Sequence, residues 1–282
     1  MPCRTESWIS TICRISRQTR KTGCKVQIDP QGDIDINDLE RSIGENVVGI
    51  VCINPSNPTG VIYGVKTIEE VGRIARKFGL IIVADEVYHN LTFDNSKRPP
   101  LIRDIITDVP IIEIGSMSKE FFMCGHKIGW FDFHNMTPEL EQLEKVMEGM
   151  CAARFCANLP GQRAAVAALL GGNDFLGPRM DELRRRRGVM ILEVEKIPGT
   201  TFVTPEAAFY FWFGIEKLRT GCGLDTEFVQ KLGDREAVYI LPGSAFTGEP
   251  SKDEYHWFRA TFLPPVDMIR EGIERIGELL KE

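Results

Sequence analysis

The residue best suited to chemistry follows an apolar run. Val109 to Ile114 reads as a buried strand, it gives way to Gly115, Ser116, Met117 and Ser118, and Lys119 comes next. A lysine there is a poor core residue, because burying its ammonium unpaired is costly and desolvation favours the neutral amine. A neutral amine is the nucleophile that Schiff-base chemistry needs. The competing reading is a surface lysine in a strand-to-helix loop, and this stretch alone does not choose between them.

Two further stretches carry polar groups at the ends of apolar runs. Asn54-Pro55-Ser56-Asn57-Pro58-Thr59-Gly60 follows Val47 to Ile53, and Ala84-Asp85-Glu86-Val87-Tyr88 follows Leu80 to Val83. In open α/β sheets ligands sit beyond the carboxyl ends of the strands. Each residue also has a plain structural reading. Asp85 fits a helix N-cap, Asn57 to Gly60 a simple turn, Tyr88 the core, and Ser116 a second cap. Arg259, in Trp257-Phe-Arg-Ala-Thr-Phe262, fits a surface strand with its stem on apolar neighbours.

The elements that must hold these residues follow from periodicity. Lys25 to Ile28 is a short strand candidate, and Asp35 to Ile43 a capped helix. Val47 to Ile53, β-branched and uncharged, suits a parallel strand buried on both faces. Thr67 is placed to cap a helix through Phe78, with Ile68, Val71, Ile74, Ala75 and Phe78 on one side and Gly79 as its stop. Strand, helix, strand in close order is a βαβ unit with parallel strands. Leu101 to Ile106 reads as helical, Gly129 to Phe133 as a fourth strand, and Thr137-Pro138 as the start of a helix to about Met150. Leu159 to Leu170 is another helix, and Gly171-Gly172-Asn173 is the best domain edge. Beyond the long helix Pro178 to Ile197, short strands at Ala207 to Phe213, Ala237 to Leu241 and Trp257 to Phe262 alternate with helices, ending in Asp267 to Leu280. That is an α+β layer.

Composition narrows the class. At 282 residues the chain can hold one large domain and a smaller one. A net charge of −6 gives no sign of a nucleic-acid or membrane-surface partner. No apolar run reaches the ~18 residues of a membrane span. The Arg184 to Arg187 run is expected to be a solvated helix face. Eight cysteines without C-x-x-C spacing suggest buried free thiols in a reducing compartment, and the scattered histidines carry no metal motif. The basic, Ser- and Thr-rich first 25 residues overlap mitochondrial transit peptides in composition.

Together and in this order, the Asn54–Gly60, Ala84–Tyr88 and Ser116–Lys119 stretches closely resemble the class I aminotransferases, pyridoxal-phosphate (PLP) enzymes of fold type I. The tyrosine and alanine aminotransferase group is the nearest-looking branch, and the resemblance runs from about Gly23 to the C-terminus. It implies an α/β fold: a mainly parallel large domain over residues 1–172, then a linking helix and small α+β domain over 173–282. It implies amino-group transfer between an L-amino acid and a 2-oxo acid in two half-reactions, through an internal aldimine on Lys119. Asp85 then matches the carboxylate that keeps the pyridine nitrogen protonated, so that the ring acts as electron sink. Asn57 and Tyr88 match the donors to the cofactor's phenolic oxygen, and Ser116 and Lys127 the phosphate ligands. Arg259 matches the arginine that grips the substrate α-carboxylate, with Asn57 beside it. Pro205 to Tyr210 and Leu241 to Phe246 resemble segments that shape the substrate mouth, with no catalytic role assigned. Family members form homodimers, and a cytoplasmic location is expected. Other fold type I enzymes, such as a carbon–sulfur lyase or a synthase, remain open, as does a non-catalytic relic.

Two departures stand out. Lys127 occupies a position where the family usually has arginine, so the charge is kept and the bidentate fork is lost. Relatives also carry a long segment upstream of the position matching Met1, which supplies a phosphate-binding turn and a ring stacked on the cofactor. The expectation is a chain lacking that segment, with Trp8 to Cys13 as the helix just after it. Such a chain alone should bind PLP weakly and transaminate near background. The basic N-terminus then needs no targeting role.

Overall fold

The computed structural model describes residues 14–16, 25–94, 96–138, 140–153, 157–171, 175–251 and 253–281. Chain order gives β1 (Arg14–Ser16), α1 (Ile36–Arg41), β2 (Val47–Ile53), α2 (Val65–Phe78), β3 (Ile81–Asp85), α3 (Ile102–Ile105), β4 (Ile111–Ser116) and β5 (Gly129–His134). The second half gives α4 (Glu141–Ala153), α5 (Leu159–Leu170), α6 (Leu176–Val194), β6 (Thr200–Val203), β7 (Tyr210–Glu216), α7 (Lys217–Thr220), α8 (Asp225–Glu236), β8 (Leu241–Pro242), α9 (Ser244–Thr247), β9 (Tyr255–Thr261) and α10 (Val266–Leu279).

The first sheet has the order β1-β2-β3-β4-β5. Its three central strands are parallel, as their short, uncharged, β-branched runs predict. The edge strands β1 and β5 run antiparallel to their neighbours. Helix α2 covers one face with Ile68, Val71, Ile74 and Ala75, and Gly79 ends it at φ 62°, where a side chain would be strained. Thr67 is not its cap: the helix begins two residues earlier behind Gly64, and the Thr67 hydroxyl donates to Asp33 Oδ2 at 2.8 Å. The parallel register sets Asp85 beside Ile53 on one side and Ile114 on the other. The carboxyl ends of β2 and β3 are therefore level, β4 runs two residues further to Ser116, and the loops after all three start from one edge.

The second sheet, β6-β7-β9-β8, is antiparallel. Its centre is β7, buried from Tyr210 to Ile215. Phe211, Phe213, Phe258 and Phe228 are almost fully buried here, each contributing roughly 1.5–3 kcal/mol. The apolar cluster around them also takes in Ile53 at the end of β2 and Val87, Tyr88 and Leu91 from the segment after β3. The two sheets thus meet through a shared core at the carboxyl edge of the parallel strands.

Several boundaries move for local reasons. The expected strand at Ala207 begins only at Tyr210, because Ala208 is left-handed (φ 61°) and Ala207 bridges to Thr92. Ala237 to Leu241 is not a strand: Ala237 closes α8 with φ 53°, and only Leu241–Pro242 pairs with β9. Lys25 to Ile28 gives an isolated bridge from Ile28 to Ile34 rather than a strand. The helix expected at Thr137 starts at Glu141, after a turn in which the Thr137 carbonyl accepts from Leu140 and Glu141. The Arg184 to Arg187 run of α6 does not form one solvated face. Consecutive helix residues are about 100° apart and cover the whole circumference. So Arg185 pairs outward with Glu182, while Arg184 donates to the Phe93 carbonyl and Arg187 to that of Pro205. Of the described cysteines only Cys52 is buried; Cys124 and Cys151 are exposed. Trp8 to Cys13, and Gly172 and Asn173 of the expected domain edge, lie outside the described residues. Among the described residues no helix is long and apolar enough to cross a membrane, and no group of His, Cys, Asp or Glu side chains could hold a metal ion.

Candidate active site

Lys119 sits in the turn after β4. The turn is fixed from below: the Met117 N–H donates to the Ile128 carbonyl and the Met123 N–H to the Met117 carbonyl, and the Met117 side chain is fully buried. The Ser118 N–H donates to Ser116 Oγ at 3.0 Å, closing the first half of the turn. Lys119 Nζ then lies 5.9 Å from the Tyr88 ring centre and 5.8 Å from that of Phe209. Among the described residues its ammonium has no hydrogen-bonding or ionic partner. Aromatic faces attract the charged form only weakly compared with a carboxylate. The adjacent Glu120 ties this turn to its neighbour, accepting the Asn90 N–H and Nδ2–H at 2.9 Å each.

Asp85 ends β3. Its Oδ1 accepts a long bond from the Val87 N–H, at 3.4 Å, in a turn rather than a helix. The helix-cap reading therefore does not hold. Burial pushes its carboxyl above the ordinary range, against the pull of the Val87 N–H and the Lys119 charge. A largely buried carboxylate with one weak donor is suited to a further N–H or cationic partner.

Asn57 and Arg259 meet across the seam between the sheets. Arg259 Nη1 donates to Asn57 Oδ1 at 2.8 Å. The guanidinium lies over the Tyr210 ring at 4.4 Å and the Phe246 ring at 4.8 Å. Burial works against its charge and lowers its pKa. Arg259 is thus no surface strand residue; it is a partly desolvated cation, preset on aromatic faces, of the kind that binds a carboxylate.

Asn57 is held by the loop it belongs to. Gly60 adopts φ 75°, and a Cβ there would lie 2.7 Å from Pro205 Cβ and 3.0 Å from the Ala207 carbonyl oxygen. The Gly60 carbonyl in turn accepts the N–H groups of Glu206 and Ala207 at 2.8 Å. This close approach delivers the chain to Phe209 and Tyr210. Tyr88 is buried among them, with its hydroxyl 2.9 Å from that of Tyr210 and its ring edge-on to those of Phe209 and Tyr210.

The structure brings five of the residues singled out by sequence into one network: Asn57, Asp85, Tyr88, Lys119 and Arg259. Ser116 stays in its own turn, donating to the Ile128 carbonyl at 3.4 Å. Lys127 is exposed and left-handed, at φ 54°. Sequence reasoning gave no role to Phe209, Tyr210 or Phe246. Within apolar runs they read as core, and only the Pro205–Tyr210 and Leu241–Phe246 resemblances marked them.

The family model for class I and II aminotransferases matches residues 8–276. The chain is 32% identical over 254 residues to the glutamate-pyruvate aminotransferase AlaA of Escherichia coli, covering 87% of this chain and 60% of that protein. It is 29% identical to an alanine aminotransferase of Mycobacterium bovis, over 87% and 57% of the two chains. A solved alanine aminotransferase from Pyrococcus furiosus superposes with a TM-score of 0.82 at 30% identity, over 93% of this chain and 65% of that one. The chain thus spans about 60% of the length of the curated relatives it matches. The match across nearly the whole sequence, together with the α/β architecture shared with the solved relative, shows that the chain belongs to the class I and II aminotransferase family.

Proposed function

We propose that this chain carries the PLP site of an aminotransferase that moves an amino group between an L-amino acid and a 2-oxo acid. The observation that carries the reading is the position of Lys119: an ammonium with two aromatic faces for neighbours, at the carboxyl edge of parallel strands, within the electrostatic reach of Asp85. The donor set suits the cofactor. Asp85, buried with one long hydrogen bond, would hold the pyridine N–H. Tyr88 and Asn57 would face the phenolic oxygen. Ser116 and Lys127 would meet the phosphate, with Ser116 releasing its 3.4 Å bond to Ile128. PLP, when bound, supplies an electron sink for negative charge at the amino acid's α-carbon.

The remaining work falls to the chain. Lys119 would attach the cofactor through Nζ and, once released from it, take the proton from the substrate α-carbon. Arg259 would orient the substrate by its carboxylate, with the Asn57 bond fixing the guanidinium plane. The buried rings of Tyr88, Phe209 and Tyr210 exclude water behind Lys119. The relatives named for alanine and glutamate–pyruvate exchange favour small amino acids and their oxo acids as first substrates to try. The test is repeated turnover of alanine, and separately of a cysteine thioether, with PLP, with and without a second 2-oxo acid. Pyruvate from alanine beyond one equivalent only when the acceptor is present supports transamination, and repeated pyruvate release from the thioether without acceptor would point to a lyase.

A further inference from the structure

Two buried phenols face each other at the centre of the site. The Tyr88 and Tyr210 hydroxyl oxygens are 2.9 Å apart, and the residues are 3% and 7% exposed. A hydroxyl pair holds two protons but only one lies between the oxygens. The other is left for a third group, and among the described residues neither phenol has a second hydrogen-bond partner. The direction of the bond decides which phenol offers it.

The neighbouring cations favour one direction. The Arg259 guanidinium is 4.4 Å from the Tyr210 ring centre, whereas Lys119 Nζ is 5.9 Å from that of Tyr88. A cation close to a phenol ring stabilises negative charge on its oxygen and strengthens the O–H as a donor. Tyr210 is the more strongly polarised of the two. A Tyr210 that donates to Tyr88 leaves Tyr88 with a free O–H whose own donor strength is raised by the bond it accepts.

We propose that Tyr210 is a positioning residue: by donating to the Tyr88 hydroxyl it holds the Tyr88 O–H free, aimed and strengthened for an anionic oxygen bound beside Lys119. This rests on the PLP reading above, in which that oxygen is the cofactor's phenolic one. It links the cofactor end of the site to Arg259 through two phenols rather than through Asn57 alone.

The test is a spectroscopic pH titration of PLP-loaded wild type, Tyr210→Phe, Tyr88→Phe and the double variant, following the cofactor's absorption band. A donor to the phenolic oxygen favours the form in which that oxygen carries more negative charge, the deprotonated one. Losing Tyr88 should therefore raise the titration midpoint. Tyr210→Phe keeps the ring under Arg259 and should raise it by about 0.5–1 pH unit, the worth of one hydrogen bond. Because Tyr210 acts through Tyr88, the double variant should titrate with Tyr88→Phe. Thermal melts of the apo-proteins accompany the titration. An unshifted midpoint in Tyr210→Phe, or a further shift when it is added to Tyr88→Phe, overturns the inference while leaving the PLP reading in place. Wild type that shows no cofactor band with excess PLP overturns both.

Discussion

Arg259 and Asn57 stand 202 residues apart in sequence and are joined by a 2.8 Å hydrogen bond that crosses from one sheet to the loop of the other. The bond uses one guanidinium nitrogen and leaves the rest of the fork for a carboxylate. Arg259→Lys keeps the charge and loses the fork. It should raise KM for amino acids and 2-oxo acids alike, by roughly ten-fold or more, with PLP affinity little changed. Steady-state kinetics beside a PLP titration check this. A fall in PLP binding with unchanged KM would move Arg259 to the cofactor side.

At saturating PLP, Asp85→Ala should take whatever amino transfer the wild-type chain shows down to background while the fold is retained, because the ring loses its electron sink. The carboxylate is held by one weak backbone bond, so its removal disturbs little else. Near-wild-type rates at saturating PLP would show that no ring nitrogen depends on it.

Glu86, next to Asp85, gives a pH signature of the fold. Its Oε1 accepts the Ile102 N–H at 2.9 Å, and its Oε2 is buried without a partner among the described residues. Burial pushes its pKa up to about 7, from 4.5 in the open chain. The folded state therefore holds this proton more tightly. The resulting stabilisation is complete below about pH 4.5 and is lost as pH rises through about 7, a change on the order of 3 kcal/mol. Glu86→Gln keeps the acceptor for Ile102 and cannot ionise. Urea melts from pH 5 to 8 should show a shallower fall in stability for the variant than for wild type. Parallel curves would remove Glu86 from the titration.

Gly60 ties the Asn57 loop to the Pro205–Ala207 turn. Gly60→Ala combines a left-handed φ with contacts of 2.7 and 3.0 Å at the new Cβ. It should destabilise the fold by about 2–4 kcal/mol and loosen the Tyr210 segment. Denaturant unfolding gives the first effect. Retention of wild-type stability would mean that the turn gives way easily.

The positions of Asp85 and Lys119 were legible because uncharged β-branched runs that stop at a polar residue leave few alternatives in an α/β sheet. Asn57 and Gly60 were legible as a turn, but the docking of Gly60 against Pro205 was not, since it depends on a contact 145 residues away. Tyr210 was hidden for a similar reason. In a run such as Phe209-Tyr-Phe-Trp-Phe213 every ring reads as core, and only the fold shows which hydroxyl meets Tyr88. The antiparallel turn of β5 also escaped periodicity, which reports burial and not direction. The arginine run misled because charge counts ignore the helix circumference.

The central claim is that Lys119 is the lysine that attaches the cofactor. It is tested most directly by incubating the protein with excess PLP, reducing with borohydride, and mapping the pyridoxyl group by peptide mass spectrometry. The account predicts the label on Lys119, lost in Lys119→Ala. Label spread over other lysines, with none on Lys119, would contradict it.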